Sequence, residues 1–358
     1  MTEIILKRWV GSILALALAL SGPSAVWAAA PKAGSTCSPK GKVAVVAGRK
    51  YTCIKIGAKL FWSKPISVKT STPTPTATPL TPLAMELNKY PYRELNQKAL
   101  APEFIEESTA ANTRWRVLKT AFEKHLTWFD QIGLSRSKKL FVVVPTTSDW
   151  VNQTLKTLGC TTQIPGINNA YAIWEDCKGA SVVTTFGLSF QPNNSGLTLD
   201  DQHVIIHETF HQWNREVIQP GQGNADYPKW LHEGGASAFA RYAYYEVSDK
   251  SVSPDQLLTN WFTLQRPDLR QACVGVKIRE MIPNTPWPDR ANCAYSKGQI
   301  ASDLILENFG LQKLIQLYKE PKAPGMASFG AVFKNITGME IENFYDIVDL
   351  EFSKRGWS

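Results

Sequence analysis

No stretch of the 358-residue chain is apolar for long enough to cross a bilayer. The longest run, Trp9 to Leu20, holds twelve residues, against the ~20 needed to span about 30 Å of hydrocarbon. Charged residues are few at 20%, and with 44% hydrophobic residues the chain lacks the charge-rich, apolar-poor balance of a disordered protein. Six cysteines are present but no CxxC spacing, which argues against a thiolate metal site. Between Pro31 and Thr70 there is no acidic residue, against nine basic ones. No internal repeat is present.

The apolar run has the layout of an export signal. Lys7 and Arg8 precede an Ala/Leu core, Ser-Gly-Pro breaks it, and Val26 and Ala28 supply small residues before a cleavage expected after Ala28. The core is short for an uncleaved anchor, and either way the body of the protein is placed outside the cytoplasm, secreted or envelope-associated. All six cysteines lie beyond residue 28, as expected of a chain that folds in an oxidising compartment. They fall into three sequential pairs, so Cys37 with Cys53, Cys160 with Cys177 and Cys273 with Cys293 is the expected pairing.

Residues 64–83, KPISVKTSTPTPTATPLTPL, form a Pro/Thr/Ser spacer that cannot build a core. It separates a small basic two-cysteine block, 29–63, from a single large domain, 84–358. The net charge of +8 belongs to the front end, because residues 71–358 carry 28 basic against 30 acidic residues. A basic block of this kind suits an anionic cell-envelope polymer, or serves only as a solubilising surface. No nucleic-acid partner is expected.

Within 84–358, helical spacing is read over 103–132 from Leu118, Phe122, Leu126 and Phe129. Leu140 to Val144 and Ser181 to Phe186 read as strands. Helices are predicted over 200–217, 229–247, 254–264 and 297–318, with two more before the C-terminus. Strands early and helices late predict an α+β fold.

The segment His207-Glu208-Thr209-Phe210-His211 is an HExxH pattern in a helix opened by Asp200 and Asp201. At a spacing of four, the two imidazoles share one helix face about 6 Å apart along the axis. They can close on a single zinc ion, with Glu208 beside it as a general base. Trp230-Leu231-His232-Glu233-Gly234-Gly235-Ala236 follows after the loop Pro220 to Pro228. Glu233 would complete a His₂Glu set. His232 is the rival third ligand, but on a helix it points about 100° away from Glu233, so only one of them can face the ion. His203 stands about 12 Å along the axis from His211 and is too far to share its metal. It is read as a partly buried surface histidine, with a supporting or capping role as the alternative. His125 is read as structural, and Ser237 occupies the place where a carboxylate orienting a histidine would be expected.

These motifs resemble those of the gluzincins, zinc metallopeptidases whose second motif is similar to WLxEGxA, matched by Trp230, Leu231, Glu233, Gly234 and Ala236. Tyr295-Ser296-Lys297-Gly298 resembles the YxKG motif of gluzincin aminopeptidases, and Phe329 to Phe352 is similar to their closing helical segment. The resemblance covers about 200–352. It implies a zincin-like domain with a small sheet followed by helices, one Zn²⁺ on His207, His211 and Glu233, Glu208 as base and Tyr295 stabilising the tetrahedral intermediate. Tyr295 could otherwise be an ordinary buried tyrosine beside Cys293. Metzincins are excluded, because Asn214 and Val217 stand where their glycine and third histidine would be.

The gap from His211 to Glu233 is longer than in those aminopeptidases, and no GxMEN-like segment precedes the zinc helix to hold a free amine. The expectation is therefore a secreted endopeptidase acting on peptides or proteins. The alternatives are an aminopeptidase and an inactive zincin-like envelope-binding protein. The front block resembles a short two-cysteine module of secreted bacterial proteins.

Overall fold

The computed structural model describes residues 32–46, 49–64, 66–67, 80–94, 101–107, 113–167, 170–185, 199–217, 228–281, 292–320 and 326–357. They fall into two compact units, one within residues 1–78 and one within 79–358. The expected export signal of 1–28, most of the Pro/Thr run and most of the loop before Pro228 lie outside the described residues.

In the first unit, β1 (Val43–Val46), β2 (Arg49–Ile56), β3 (Lys59–Trp62) and β4 (Ile66–Ser67) form an antiparallel sheet in which β2 pairs with each of the others. The Cys37–Cys53 disulfide ties the segment before β1 to the middle of β2. Cys53 is the fully buried position of this strand.

The second unit opens with α1 (Pro82–Leu87). Thr81 caps it by accepting the Ala84 N–H at 3.2 Å, and proline is suited to the first turn because its missing N–H would be unpaired there. Leu83 and Leu87 are wholly buried. The expected spacer is thus too long at its C-terminal end, since its last residues carry a capped helix with a core leucine.

Four strands follow: β5 (Glu103–Glu106), β6 (Leu140–Val144), β7 (Tyr171–Cys177) and β8 (Ala180–Thr184), in the order β5-β6-β8-β7. The first three positions in that order run parallel, and β7 is antiparallel at the edge. Two helices connect them, α2 (Thr113–Gln131) and α3 (Ser148–Thr157). The helical reading of 103–132 therefore fails at its start, where Glu103–Glu106 pairs with β6. Its apolar stripe begins only at Trp115, and Leu118, Phe122, Leu126 and Phe129 are buried as expected.

Helices make up the rest: α4 (Leu199–Val217), a π-helical turn Trp230–Gly234 running into α5 (Gly235–Val247), α6 (Pro254–Asn260), α7 (Pro267–Gln271), α8 (Asn292–Phe309), α9 (Leu311–Lys319), α10 (Met326–Thr337) and α11 (Ile341–Lys354). The helix expected over 297–318 is two, because Gly310 adopts φ +87°, a conformation that favours glycine, and turns the chain between α8 and α9. Strands early and helices late make the domain α+β, as its residue patterns indicate. Phe129 of α2, Phe210 of α4 and Phe239 of α5 meet at the centre, the last two stacked at 4.6 Å.

All three disulfides form in the expected pairing. Among the described residues no helix is long and apolar enough to cross a membrane. Both facts fit an extracellular protein.

Candidate metal centre

His207 and His211, one turn apart on α4, bring their Nε2 atoms to 2.9 Å from each other. Glu233 Oε2 lies 3.3 Å from each of these nitrogens. All three residues are buried. Two imidazole lone pairs and a carboxylate oxygen aimed at one point repel unless a proton or a cation lies among them. Donors held ~2.0–2.1 Å from a tetrahedral zinc stand ~3.3–3.4 Å apart, close to the spacing found. The group can therefore hold a metal ion. A second cluster, Cys160, Glu175 and Cys177, does not qualify, because its sulfurs are joined in a disulfide and Glu175 accepts from Thr161 and Thr162.

Glu233 reaches this point because Trp230–Gly234 is wound as π-helix and pressed against α8. Gly234 and Gly298 permit that approach. A Cβ on Gly234 would stand 2.2 Å from the Gly298 Cα, and one on Gly298 would stand 2.2 Å from the Trp230 carbonyl oxygen. The glycines of the two motifs are thus the two halves of one backbone crossing. Tyr318 of α9 braces the same turn by donating to the Leu231 carbonyl at 2.8 Å. Lys297 anchors α8 from the other side, its Nζ buried on Asp349 Oδ1 at 2.6 Å. The lysine of the YxKG-like segment is therefore a brace between α8 and α11.

Ser237, one turn beyond Glu233, sits behind His207, with Oγ 3.0 Å from Nδ1. The tautomer that donates Nδ1–H to this hydroxyl leaves Nε2 as the ligating nitrogen. His203 is fully buried rather than half at the surface. Its Nε2 meets the Ser237 carbonyl at 3.2 Å and its ring packs on Trp261 at 4.2 Å. Burial, and then the neighbouring His207, hold its pKa well below the ordinary value. His203 thus borders the residue that orients His207 and does not enter the ligand group. His211 Nδ1 has no partner among the described residues.

His232 is not one of the converging groups. Its Nε2 is 3.8 Å from Glu233 Oε1, the other carboxylate oxygen, and its ring stacks on His211 at 4.3 Å. Burial lowers its pKa to about 3. Trp174 of β7 lies against both rings, 5.7 Å from His211 and 5.3 Å from His232. Sequence reading missed Trp174, because residues 171–177 carry no clean alternation to mark a strand.

Glu208 projects toward the edge strand, where Oε2 accepts the Ala172 N–H at 2.8 Å. Burial raises its pKa while the two imidazoles oppose the shift. Glu233 behaves oppositely, because His211 and His207 outweigh burial and hold it well below the usual carboxylate range. Tyr295 lies across the group, its ring centroid 5.7 Å from that of His207, and its hydroxyl donates to the Glu233 carboxylate. His125 is remote and structural. It is buried between α2 and the end of α5, with Nε2 3.1 Å from Ser248 Oγ.

Searches of the chain against protein-family models, characterised proteins and solved structures find no significant match.

Proposed function

We propose that the second unit is a secreted zinc peptidase of the gluzincin type, cleaving within peptides. The observation that carries this reading is the meeting, at one buried point, of His207 Nε2, His211 Nε2 and Glu233 Oε2, with Glu208 and Tyr295 on its border. Three nitrogen and oxygen donors on two helices form a set that leaves one position of a tetrahedral ion open. A zinc ion held there would supply Lewis-acid activation of water and of the scissile carbonyl.

The chain's own groups supply the rest. Glu208 takes the proton of the attacking water on its carboxylate and returns it to the leaving nitrogen. The Tyr295 hydroxyl, given to Glu233 in the free enzyme, is placed to turn toward the oxygen that gains charge. Ser237 fixes the tautomer of His207, and the His232 ring, stacked on His211, shields it on one side with Trp174 tilted against both.

The test is hydrolysis of unstructured casein and of N-terminally blocked peptides, with products placed by mass analysis. Internal cleavage that Glu208→Gln abolishes while zinc remains bound supports the reading. Release of single residues from free N-termini only would make the protein an aminopeptidase. Zinc binding with no hydrolysis of any peptide would leave a binding module.

A further inference from the structure

The first unit carries a surface that the peptidase reading does not use. Strand pairing aligns Val43 with Thr52, Val45 with Lys50, Ile54 with Phe61 and Ile56 with Lys59. Residues opposite one another share a face, as do alternate residues along a strand. One face therefore holds half-buried Tyr51 and Trp62 with buried Cys53, and Ala44 and Val46 beside them. The other holds Val43, Val45, Ile54 and Ile56 with Thr52 and Phe61 among them, flanked by Lys50 and Lys59. Its four aliphatic side chains are 49%, 59%, 39% and 59% exposed in that order. β-branched residues alternating along a strand ordinarily cover a core, and here they face outward.

We propose that this face docks on the surface of an anionic phospholipid bilayer, its aliphatic side chains entering the interfacial layer and its lysines meeting headgroup phosphates. Charge names the sign of the partner, since residues 31–70 hold nine basic and no acidic groups, and nothing in this block repels a negative surface. The aliphatic residues name its class. A hydrated anionic polymer offers counter-charge to Lys50 and Lys59 but gives Val45 and Ile56 nowhere to leave water. A bilayer interface offers both. The polypeptide does not cross the membrane in this arrangement; the sheet lies on it, and the Pro/Thr spacer joins the second unit to it.

The experiment is co-sedimentation of the chain from Ala29 onward with vesicles of equal parts phosphatidylcholine and phosphatidylglycerol, with vesicles of phosphatidylcholine alone, and binding to soluble wall teichoic acid. Binding to the mixed vesicles, weakening with salt, is expected. Val45→Ser/Ile56→Ser changes exposed positions only and is expected to lower vesicle affinity about tenfold or more. Lys50→Gln/Lys59→Gln is expected to lower it by roughly fivefold for each charge removed. Protection of the Cys37–Cys53 pair from thiol reagents checks that each variant keeps its fold.

Vesicle binding untouched by the serine pair overturns the proposal. So does teichoic acid binding with no vesicle binding, which would make the polymer the partner. A dimer that the serine pair converts to monomer, without vesicle binding, would assign the face to a second copy and equally overturn it.

Discussion

Ser237 shows how much of the centre depends on a residue that holds no metal itself. Its hydroxyl, 3.0 Å from His207 Nδ1, fixes the ring from behind, and Ser237→Ala is expected to weaken zinc affinity about 10- to 100-fold. Competition with a chelating dye measures this, and unchanged affinity would remove Ser237 from the account. Tyr295 separates structure from chemistry. Tyr295→Phe removes one hydroxyl and little volume, so kcat is expected to fall by ~10²-fold or more with zinc content and KM nearly unchanged. A lowered melting temperature with kcat intact would make it a packing residue. His125 contributes to acid stability without touching the site. Burial lowers its pKa from 6.5 to about 3, so the unfolded chain binds this proton more readily than the folded one. Stability is full above about pH 6.5 and falls toward pH 3 with a slope of up to ~1.4 kcal/mol per pH unit from this group. Urea unfolding across that range should show a shallower slope in His125→Gln, and an unchanged slope would place the acid sensitivity elsewhere.

Among the elements, the crossing of α8 with the π-helical turn decides where Glu233 points. Gly298→Ala sets a methyl against the Trp230 carbonyl at a distance no real Cβ occupies. Backbone must shift on both sides, and a loss of ~1–3 kcal/mol or more is expected, read as a lower melting temperature together with weaker zinc binding. A variant with native stability would mean that the helices do not meet this closely. The same crossing marks the limit of sequence reading. HExxH at helical spacing made His207 and His211 legible, and the downstream carboxylate of WLHEG pointed to Glu233. The close approach of this π-helical turn to α8 was not legible, because it depends on two glycines sixty-four residues apart. The strand Glu103–Glu106 is not legible, because its strand character lies in pairing with β6 rather than in its own pattern. Gly310 ended a helix that periodicity alone would have continued. The burial of His203 has no sequence signal, because its cover comes from α5 and Trp261, both distant along the chain.

At the scale of the whole molecule, the chain divides into two compact units. Order along the chain announced that division, since a cysteine-paired basic block, a proline-rich run and a long α+β segment follow one another. Local disulfides were legible for the same reason, as each joins cysteines within twenty residues. The apolar outer face of the first sheet was hidden, because it appears only when Val43 and Val45 are aligned with Ile54 and Ile56 across β2. Zinc content per chain, determined by mass spectrometry on the purified chain from Ala29 onward beside Glu233→Ala, tests the heart of the account most directly. One zinc per wild-type chain, lost or greatly weakened when Glu233 is removed, is the result expected of ligands contributed by α4 and the π-helical turn together. A wild-type chain that binds no zinc when supplied with it, or a Glu233→Ala chain that keeps one at undiminished affinity, would contradict it.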